Sequence, residues 1–370
     1  MIGCGSYLVR VQERGGANPR VVPVVSGRWE RVVDSTSSAE VIASAACCDL
    51  LADVDPFSHE LVILRSVSGT SHRVVWLGPI EEVAFDEDPE TAQIRITAND
   101  LTQWWRLRFV HADYDRTIET GSGPSRLIDQ VVDLNSDALA PDASPGLVVL
   151  DTTPGSTLAG ERKILAAENR ETNGPISELA RDSIDFAAHS TAANPRAVLV
   201  GEPQINHNAG LVTTLHSSHF ARAPRVRRMR PVTRVVVSGA GGGAAGDEVV
   251  GIATASAAML ARFGLIEARY DEPRIEDATS AQQAAEYRLS LLGPTAAGRA
   301  PTRVEDGILA PSAPGDLDDY YAGARFDIAL SGDCISFGGR SVLTRLQCAF
   351  DGASEALTAA FTPAAFVEAS

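Results

Sequence analysis

The stretch Leu77-Gly78-Pro79-Ile80-Glu81-Glu82-Val83-Ala84-Phe85 enters the acidic turn Asp86-Glu87-Asp88-Pro89-Glu90. It returns as Ala92-Gln93-Ile94-Arg95-Ile96-Thr97-Ala98-Asn99-Asp100-Leu101, followed by Trp104 to Arg108. Apolar and polar residues alternate on both sides of the turn, which is the period of a half-buried strand. Two such runs around a Pro- and Asp-containing turn predict a β-hairpin. Asn99-Asp100 then stands where a cap stands, and predicts a turn of helix over Leu101 to Trp105.

Outward from this hairpin the first 110 or so residues keep the same texture. Tyr7 to Val11, Val21 to Val25, Gly27 to Val33, His59 to Leu64 and Arg73 to Leu77 all read as short strands bounded by turn residues. Ser35 to Ala46 fits either a strand or a short helix. Many short antiparallel strands without long helices between them predict a small barrel. The texture changes after residue 110. A helix is predicted after Gly123-Pro124-Ser125, with Leu127, Ile128, Val131, Val132 and Leu134 at helical spacing. Another is predicted from Asn173-Gly174-Pro175, with Ile176, Leu179, Ile184 and Phe186 on one stripe. Strands are predicted at Leu147 to Leu150, Ala197 to Val200, Leu211 to Leu215 and Val232 to Val237, and a helix over Asp277 to Leu292 that Gly293-Pro294 stops. After about residue 300 strands return, and Ser341 to Phe350 and Ala356 to Phe361 form a closing hairpin across Asp351-Gly352. No exact sequence repeat is visible.

Composition excludes several classes of function. The chain has 370 residues, 32 Lys+Arg against 48 Asp+Glu, and a net charge of −16. Such an acidic chain does not hold DNA or an anionic membrane by bulk charge. No apolar run approaches the roughly 18–20 residues of a membrane span, and Met1 to Gly5 lacks the layout of a signal peptide. Lys163 is the single lysine, a bias of codon usage rather than of chemistry. The five cysteines Cys4, Cys47, Cys48, Cys334 and Cys348 form no CxxC pair, so neither a zinc site nor a disulfide framework is signalled.

Candidate sites are few. Gly239-Ala240-Gly241-Gly242-Gly243-Ala244 follows a strand and matches a dinucleotide-binding pattern. Yet Asp247-Glu248 puts carboxylates where a phosphate would sit, and Val249 to Ile252 reads as strand instead of an opening helix. His207, His216 and His219 cluster, and His216-Ser-Ser-His219 has ligand-like spacing, but a zinc site would need a third ligand and a helix to aim the pair. Glu81-Glu82, Asp86-Glu87-Asp88 and Asp318-Asp319 sit in turns and edges, where a solvated face outweighs a hydrolase dyad. Trp104-Trp105 is read as an aromatic plug of the barrel in preference to a ligand platform. Arg222, Arg225, Arg227, Arg228, Arg230 and Arg234 form the one basic run. It has no interleaved aromatics for stacking on bases, so pairing with an acidic surface of a neighbouring chain is the equal or better reading. No residue justifies a catalytic, cofactor-binding or metal-binding assignment, and no cofactor is expected.

The run Gly78-Pro79-Ile80 with Val83, the alternating strand, Ala98-Asn99-Asp100-Leu101, and the Trp and Arg that follow resembles the N-terminal barrel of tail-tip or baseplate hub proteins of long-tailed bacteriophages. These are often called minor tail or tail-associated proteins. Gly174 to Leu179 followed by Ile184-Asp185-Phe186 resembles the middle-domain helix of that family. Thr233 to Gly239 resembles the strand that returns to its second barrel, and Arg345 to Gly352 with Glu355 to Pro363 resembles its closing hairpin. The resemblance implies an α+β, mainly β chain. Two small antiparallel β-barrels would flank an α+β domain, with a helical insert in the second barrel. The expected division is 1–110 for the first barrel, 111–228 for the α+β domain, 229–240 and 300–363 for the second barrel, 241–299 for the insert and 364–370 for a tail. It also implies a virion structural protein: a homotrimer at the distal end of a tail, closing or gating the tube and letting DNA pass without specific binding. Implied partners are the distal tail ring protein, the C-terminal end of the tape-measure protein and other tip or receptor-binding proteins, with no membrane insertion. A chain without an appended hydrolase or spike favours a non-contractile, siphovirus-type tail. A nucleotide-dependent enzyme using the Gly239–Ala244 loop and a tail-associated wall hydrolase are the alternatives. In a hub, the charge of −16 predicts an acidic lumen, and places the Arg222 to Arg234 run at a junction and away from the channel.

Overall fold

A computed structural model describes residues 1–67, 69–86, 92–116, 125–139, 148–152, 159–160, 162–164, 170–181, 185–191, 193–201, 213–222, 225–228, 231–239, 249–272, 275, 278–294, 302–331 and 337–363. The N-terminal half holds β1 (Gly5–Glu13), β2 (Arg20–Val22), β3 (Val24–Val32), β4 (Ser38–Ser44), α1 (Cys48–Leu51), β5 (His59–Val67), β6 (Arg73–Asp86), β7 (Gln93–Asn99) and α2 (Gln103–Arg106). The undecided stretch Ser35 to Ala46 is therefore mostly strand. The hairpin β6–β7 forms as its alternation predicts, with Ile94, Ile96 and Ala98 buried.

The middle unit follows with β8 (Tyr114–Arg116), β9 (Ser125–Arg126), α3 (Leu127–Leu139), β10 (Val149–Thr152), β11 (Ala159–Gly160), β12 (Arg162–Ile164), α4 (Asn173–Arg181), β13 (Asp185–Ala188) and β14 (Ala197–Gly201). Leu127, Ile128, Val131 and Leu134 face inward from α3, while Val132 is exposed. The second helix is shorter than its stripe suggests. It stops at Arg181, and Phe186 belongs to β13. A short apolar run fits either period, and here the pairing of β13 with β14 decides it.

The C-terminal half comprises β15 (Thr213–His216), β16 (Phe220–Arg222), β17 (Arg225–Arg228), then β18 (Arg234–Gly239), β19 (Val249–Thr254), α5 (Ala257–Phe263), β20 (Glu267–Glu272), α6 (Ala278–Leu292), and finally β21 (Thr302–Leu309), β22 (Arg325–Leu330), β23 (Phe337–Asp351) and β24 (Glu355–Pro363). The strand Arg234–Gly239, expected in the second barrel, pairs with β19 and β20 in a separate three-stranded sheet. Conversely β15, β16 and β17 join the sheet of β21 to β24. A sequence run identifies β18 as a strand but not its partner. The partner is supplied by the adjacent Val249–Thr254, and α6 covers the small sheet through Ala281 and Ala285. Gly251 lets α6 approach: a Cβ there would strike the Ala281 backbone.

The fold is mainly β, and its principal element is one 14-stranded sheet running β16-β21-β24-β23-β3-β4-β7-β6-β5-β1-β2, with β15, β17 and β22 off this path. Two closed barrels were expected. Among the described residues no pairing closes either half, and the halves are instead joined edge to edge by β23 and β3. The long strands β6 and β23 make this possible. Each pairs along its first part with β5 or β22, passes a bulge, and leaves that partner behind.

The two halves repeat one topology. In the first, the pairs are β1–β5, β5–β6, β6–β7, β7–β4 and β4–β3. In the second they are β15–β22, β22–β23, β23–β24, β24–β21 and β21 with β16 and β17. The chain visits these strands in the same order both times. Even the bulges coincide: Ile80/Glu82 matches Leu343/Arg345, and Val24/Ser26 matches Phe220/Arg222. One difference is that β15–β22 is parallel where β1–β5 is antiparallel. The middle unit lies between the repeats, and β18 to α6 lies within the second.

Three cores result. The first spans both halves, from Ile2 and Trp29 to Phe326 and Phe361. The second lies between the outer face of β5–β6 and the middle unit. The third belongs to the small sheet. Strand β5 serves two of them: Leu61 and Ile63 face the first core, Val62 and Leu64 the second, as alternation requires.

The turn after β7 is tied by Asp100, which is fully buried. Its Oδ2 accepts from the Ser37 N–H and Oγ at 2.5 and 2.6 Å, and its Oδ1 from the Thr102 N–H and Oγ1 at 2.8 and 2.6 Å. Gly78 passes directly over this turn, where a Cβ would collide with the Asn99 carbonyl. Asp100→Asn turns an NH2 group against a backbone donor on one side. It is expected to lose about 1–3 kcal/mol in urea unfolding, the cost of an unmatched buried polar group. Gly78→Ala is expected to lose a similar amount through overpacking, roughly 1–3 kcal/mol.

Candidate functional site

The residues singled out by sequence do not converge. The Gly239 loop joins β18 to β19, two antiparallel neighbours. It therefore opens into a strand, and the helix N-terminus that would receive a pyrophosphate does not follow it; residues 240–248 lie outside the described residues. His216 and His219 flank a 3-10 turn with rings 5.5 Å apart. The His216 N–H donates to His219 Nδ1 at 3.1 Å, so that nitrogen serves the turn. His207 and Cys334 lie outside the described residues. Among the described residues no group of three or more His, Cys, Asp or Glu is placed to hold a metal ion. Asp319 is engaged in its own turn, accepting from the Asp316 N–H at 2.7 Å. Glu81 and Glu82 are exposed on β6. Cys4 and Cys48 are exposed thiols, while Cys47 and Cys348 are buried ones.

Trp104 and Trp105 do not plug a barrel. They lie in the second core, between the first half and the middle unit. Trp105 Nε1 donates to Asn135 Oδ1 at 2.9 Å and meets the Phe186 ring edge-on at 5.4 Å. Trp104 lies beneath the guanidinium groups of Arg14 and Arg108.

What the structure does bring together is a set of buried charges along the seam between halves. Arg65 on β5 and Glu355 on β24 form a bidentate pair, Nη2 to Oε1 at 2.6 Å and Nε to Oε2 at 2.9 Å, with side chains 3% and 7% exposed. The Gly5 N–H and the Tyr7 hydroxyl also donate to Glu355, at 2.6 and 2.7 Å. Arg65 Nη2 donates further to the carbonyls of Ile2 and Gly3. Tyr7 stacks on Phe350 with ring centroids 4.1 Å apart, and its hydroxyl lies 3.1 Å from the Cys348 sulfur. Burial pushes the Tyr7 phenol well above its usual range and the Cys348 thiol up to about 12, so both remain neutral. Burial alone would raise the Glu355 carboxyl as well. The hydrogen bonds from Arg65 and Tyr7 and the Arg65 charge outweigh it and hold the group below its ordinary value.

Arg31 is the second anchor. It lies on β3, is 1% exposed, and donates to four backbone carbonyls. Nη1 reaches Leu317 and Tyr320 at 3.2 Å each, and Nη2 reaches Val75 at 2.9 Å and Ser190 at 3.4 Å. One guanidinium thus ties both halves and the middle unit. Burial lowers its pKa to about 10, so it keeps its charge at neutral pH. Glu60 pairs with Arg196, and the Asp34 N–H donates to the Phe186 carbonyl while the Phe186 N–H donates to Asp34 Oδ1, which fasten the middle unit further. Sequence reasoning missed all of these. An Arg or Glu inside an alternating strand carries no mark of a partner some 290 residues away.

The chemistry available here is orientation. The buried donors and acceptors are consumed by backbone groups and by each other, and none of these clusters pairs a nucleophile with a general base. The shallow cleft lined by Glu13, Arg14, Phe57, Ser58 and His59 places the Ser58 hydroxyl 2.8 Å from His59 Nδ1, but the Asp55 N–H also donates to that nitrogen at 3.2 Å and the hydroxyl lies 2.9 Å from the Asp55 carbonyl, so both groups serve the turn before β5.

With this geometry established, comparison with known proteins is informative. No protein-family model and no curated protein matches the chain. Solved structures do. The MuSo2 prophage 43 kDa tail protein of Shewanella oneidensis superposes with a TM-score of 0.63 at 9% identity, covering 97% of this chain and 98% of that one. A tail protein of Neisseria meningitidis gives 0.62 at 11%, covering 96% of each. The prophage tail protein gp18 of Listeria monocytogenes gives 0.59 at 10%, covering 95% of this chain and 94% of that one. The fold is that of phage tail proteins. An Escherichia coli component of the type VI secretion system, itself described as similar to T4 tail proteins gp27 and gp5, is more distant at 0.52 and 11%, covering 97% of this chain and 77% of that one.

Glu355→Gln leaves Arg65 charged and buried without its counter-ion, a loss of about 3–5 kcal/mol. Because the folded Glu355 is held below its unfolded value, its stabilisation is complete above that value, near 4.5. It is lost as pH falls through the folded value. Urea unfolding across pH is expected to show the gap between wild type and Glu355→Gln widest at neutral pH and closing on the acid side.

Proposed function

We propose that the chain is a virion structural protein, the trimeric hub at the distal end of a phage tail or a tail-like particle. The observation that carries this reading is the whole-chain likeness to phage tail proteins. The repeated topology supports it. A chain that carries the same strand order twice presents two similar modules, so three chains present about six around one axis. Such a ring matches a three-fold tip to a six-fold tube. The joint between β3 and β23 supports it too, because it fixes the two modules of one chain side by side.

In this reading residues 1–110 form the first hub module, 111–228 the α+β domain, 229–240 and 300–363 the second module, and 241–299 the insert. The strand pairings favour a variant of that division with β18 in the insert and β15 to β17 in the second module. The hub closes or gates the tube. It binds the distal tail ring protein, the C-terminal end of the tape-measure protein and the tip or receptor-binding proteins of a siphovirus-type tail. Its work is mechanical, not enzymatic: the assembly reorients on host contact and lets DNA pass. The net charge of −16 supports passage without arrest, since an acidic wall repels phosphate.

Native mass spectrometry of the purified chain, with peptide detection in purified particles, tests the proposal. A three-chain mass and presence in particles are expected. A strict monomer that occurs in no particle overturns it. The melting temperature is expected to be unmoved by NAD(P), and a shift of several degrees would revive the nucleotide reading of the Gly239 loop.

A further inference from the structure

The connection between β21 and β22, residues 310–324, is fastened to the first half at three places. From within the core, Arg31 donates to the Leu317 and Tyr320 carbonyls. At the surface, Arg73 Nη1 meets Asp316 Oδ2 at 2.8 Å. The third fastener is the segment of residues 2–5. The Ile2 N–H donates to the Ala313 carbonyl at 2.8 Å, and the Gly3 N–H to the Pro311 carbonyl at 3.0 Å. Ile2 is 1% exposed and belongs to the same buried cluster as Ala313, Leu317 and Tyr320.

The other side of this segment is held by the Arg65–Glu355 pair. Arg65 Nη2 donates to the Ile2 and Gly3 carbonyls at 3.0 Å each, and the Gly5 N–H donates to Glu355 Oε1 at 2.6 Å. The amides of residues 2 and 3 therefore reach the second half, while their carbonyls reach a guanidinium of the first. Glycine permits both steps of the path. Gly3 has φ +63°, in the left-handed region, and a Cβ there would strike Val67. Gly5 passes so close to the ion pair that a Cβ would strike Arg65 Nε and Glu355 Oε2.

These contacts are separable from the sheet. Residues 2–4 precede β1, whose ladder with β5 begins at the Gly5–Val67 pair. The joint of β3 with β23 has a continuous antiparallel ladder of its own. A segment held by a few side-chain and loop bonds opens at a lower free energy than strands held by a ladder.

We propose that residues 2–5 are a strap that binds residues 310–313 of the second half onto the first, with Arg65 and Glu355 as its latch. Breaking the latch frees the strap and residues 310–313 together, while the β3–β23 joint stays paired. The two halves can thus part locally at one side of the seam without either of them unfolding.

Hydrogen–deuterium exchange of the full chain, read residue by residue with mass spectrometry, tests this on wild type and three variants. Glu355→Gln removes the latch. Gly3→Ala strains the strap and leaves every charge in place. Asp100→Asn weakens the first half elsewhere, at the turn after β7. In wild type the amides of Ile2, Gly3, Gly5 and Ala313 are expected to be protected. In Glu355→Gln these four are expected to exchange roughly a hundredfold faster, the factor for a buried ion left unpaired. In Gly3→Ala they are expected to exchange about tenfold faster, the cost of a left-handed alanine. Amides of β3 and β23 are expected to keep wild-type rates in both variants, and the strap to keep its own in Asp100→Asn. The strap is overturned if Ile2 and Gly3 are unprotected in wild type, or if Ala313 stays protected when they are freed. Equal acceleration of β3 and β23, or equal release of the strap by Asp100→Asn, also overturns it, because the opening is then global. Should Glu355→Gln fail to fold, the same comparison is read from Gly3→Ala alone.

Discussion

The antiparallel joint of β3 with β23 is the constraint on which the rest of the molecule depends. It turns two strand modules into one sheet and merges their interiors into a single core. Edge pairing alone leaves such a joint free to slip, because backbone hydrogen bonds do not distinguish one register from the next. Here the register is held by particular side chains. Trp29 and Cys348 meet in the buried layer, and Phe350 lies against Gly27, where a Cβ would meet the ring. Arg65 and Glu355 close the neighbouring edge as a paired charge that tolerates little displacement. Arg31 reaches through from β3 to carbonyls of both halves and of the middle unit. Such buried charges add little net stability compared with apolar substitutes, but they penalise every arrangement that leaves them unmet.

The buried charges serve the geometry of the fold. The first two cores are held together by buried guanidinium and carboxylate groups: Arg31 to carbonyls of both halves and the middle unit, Arg65 to Glu355, and Arg196 to Glu60.

Much of the fold was legible in the sequence. The β6–β7 hairpin, the closing hairpin of β23 and β24, and the helices near 127 and 278 all follow from local pattern. Asp100 was legible as a cap, though not as a buried carboxylate with four donors. The end of α4 was misread because Phe186 continues a helical stripe by accident while its backbone belongs to β13. The partner of β18 was misassigned because alternation names the face of a strand and says nothing of its neighbour.

What the sequence determined by itself is therefore the mainly β class and the order of elements, since both are written in periods of a few residues. Only the tertiary structure decided that the halves share one open sheet, that they repeat one topology without repeating sequence, and that Arg31, Arg65 and Glu355 are its buried fasteners. The physical reason is separation along the chain. Strand partners such as Gly27 and Phe350 lie at opposite ends of it. Pairing between such strands depends on the backbone and on the total shape of the core, which many different sequences can fill.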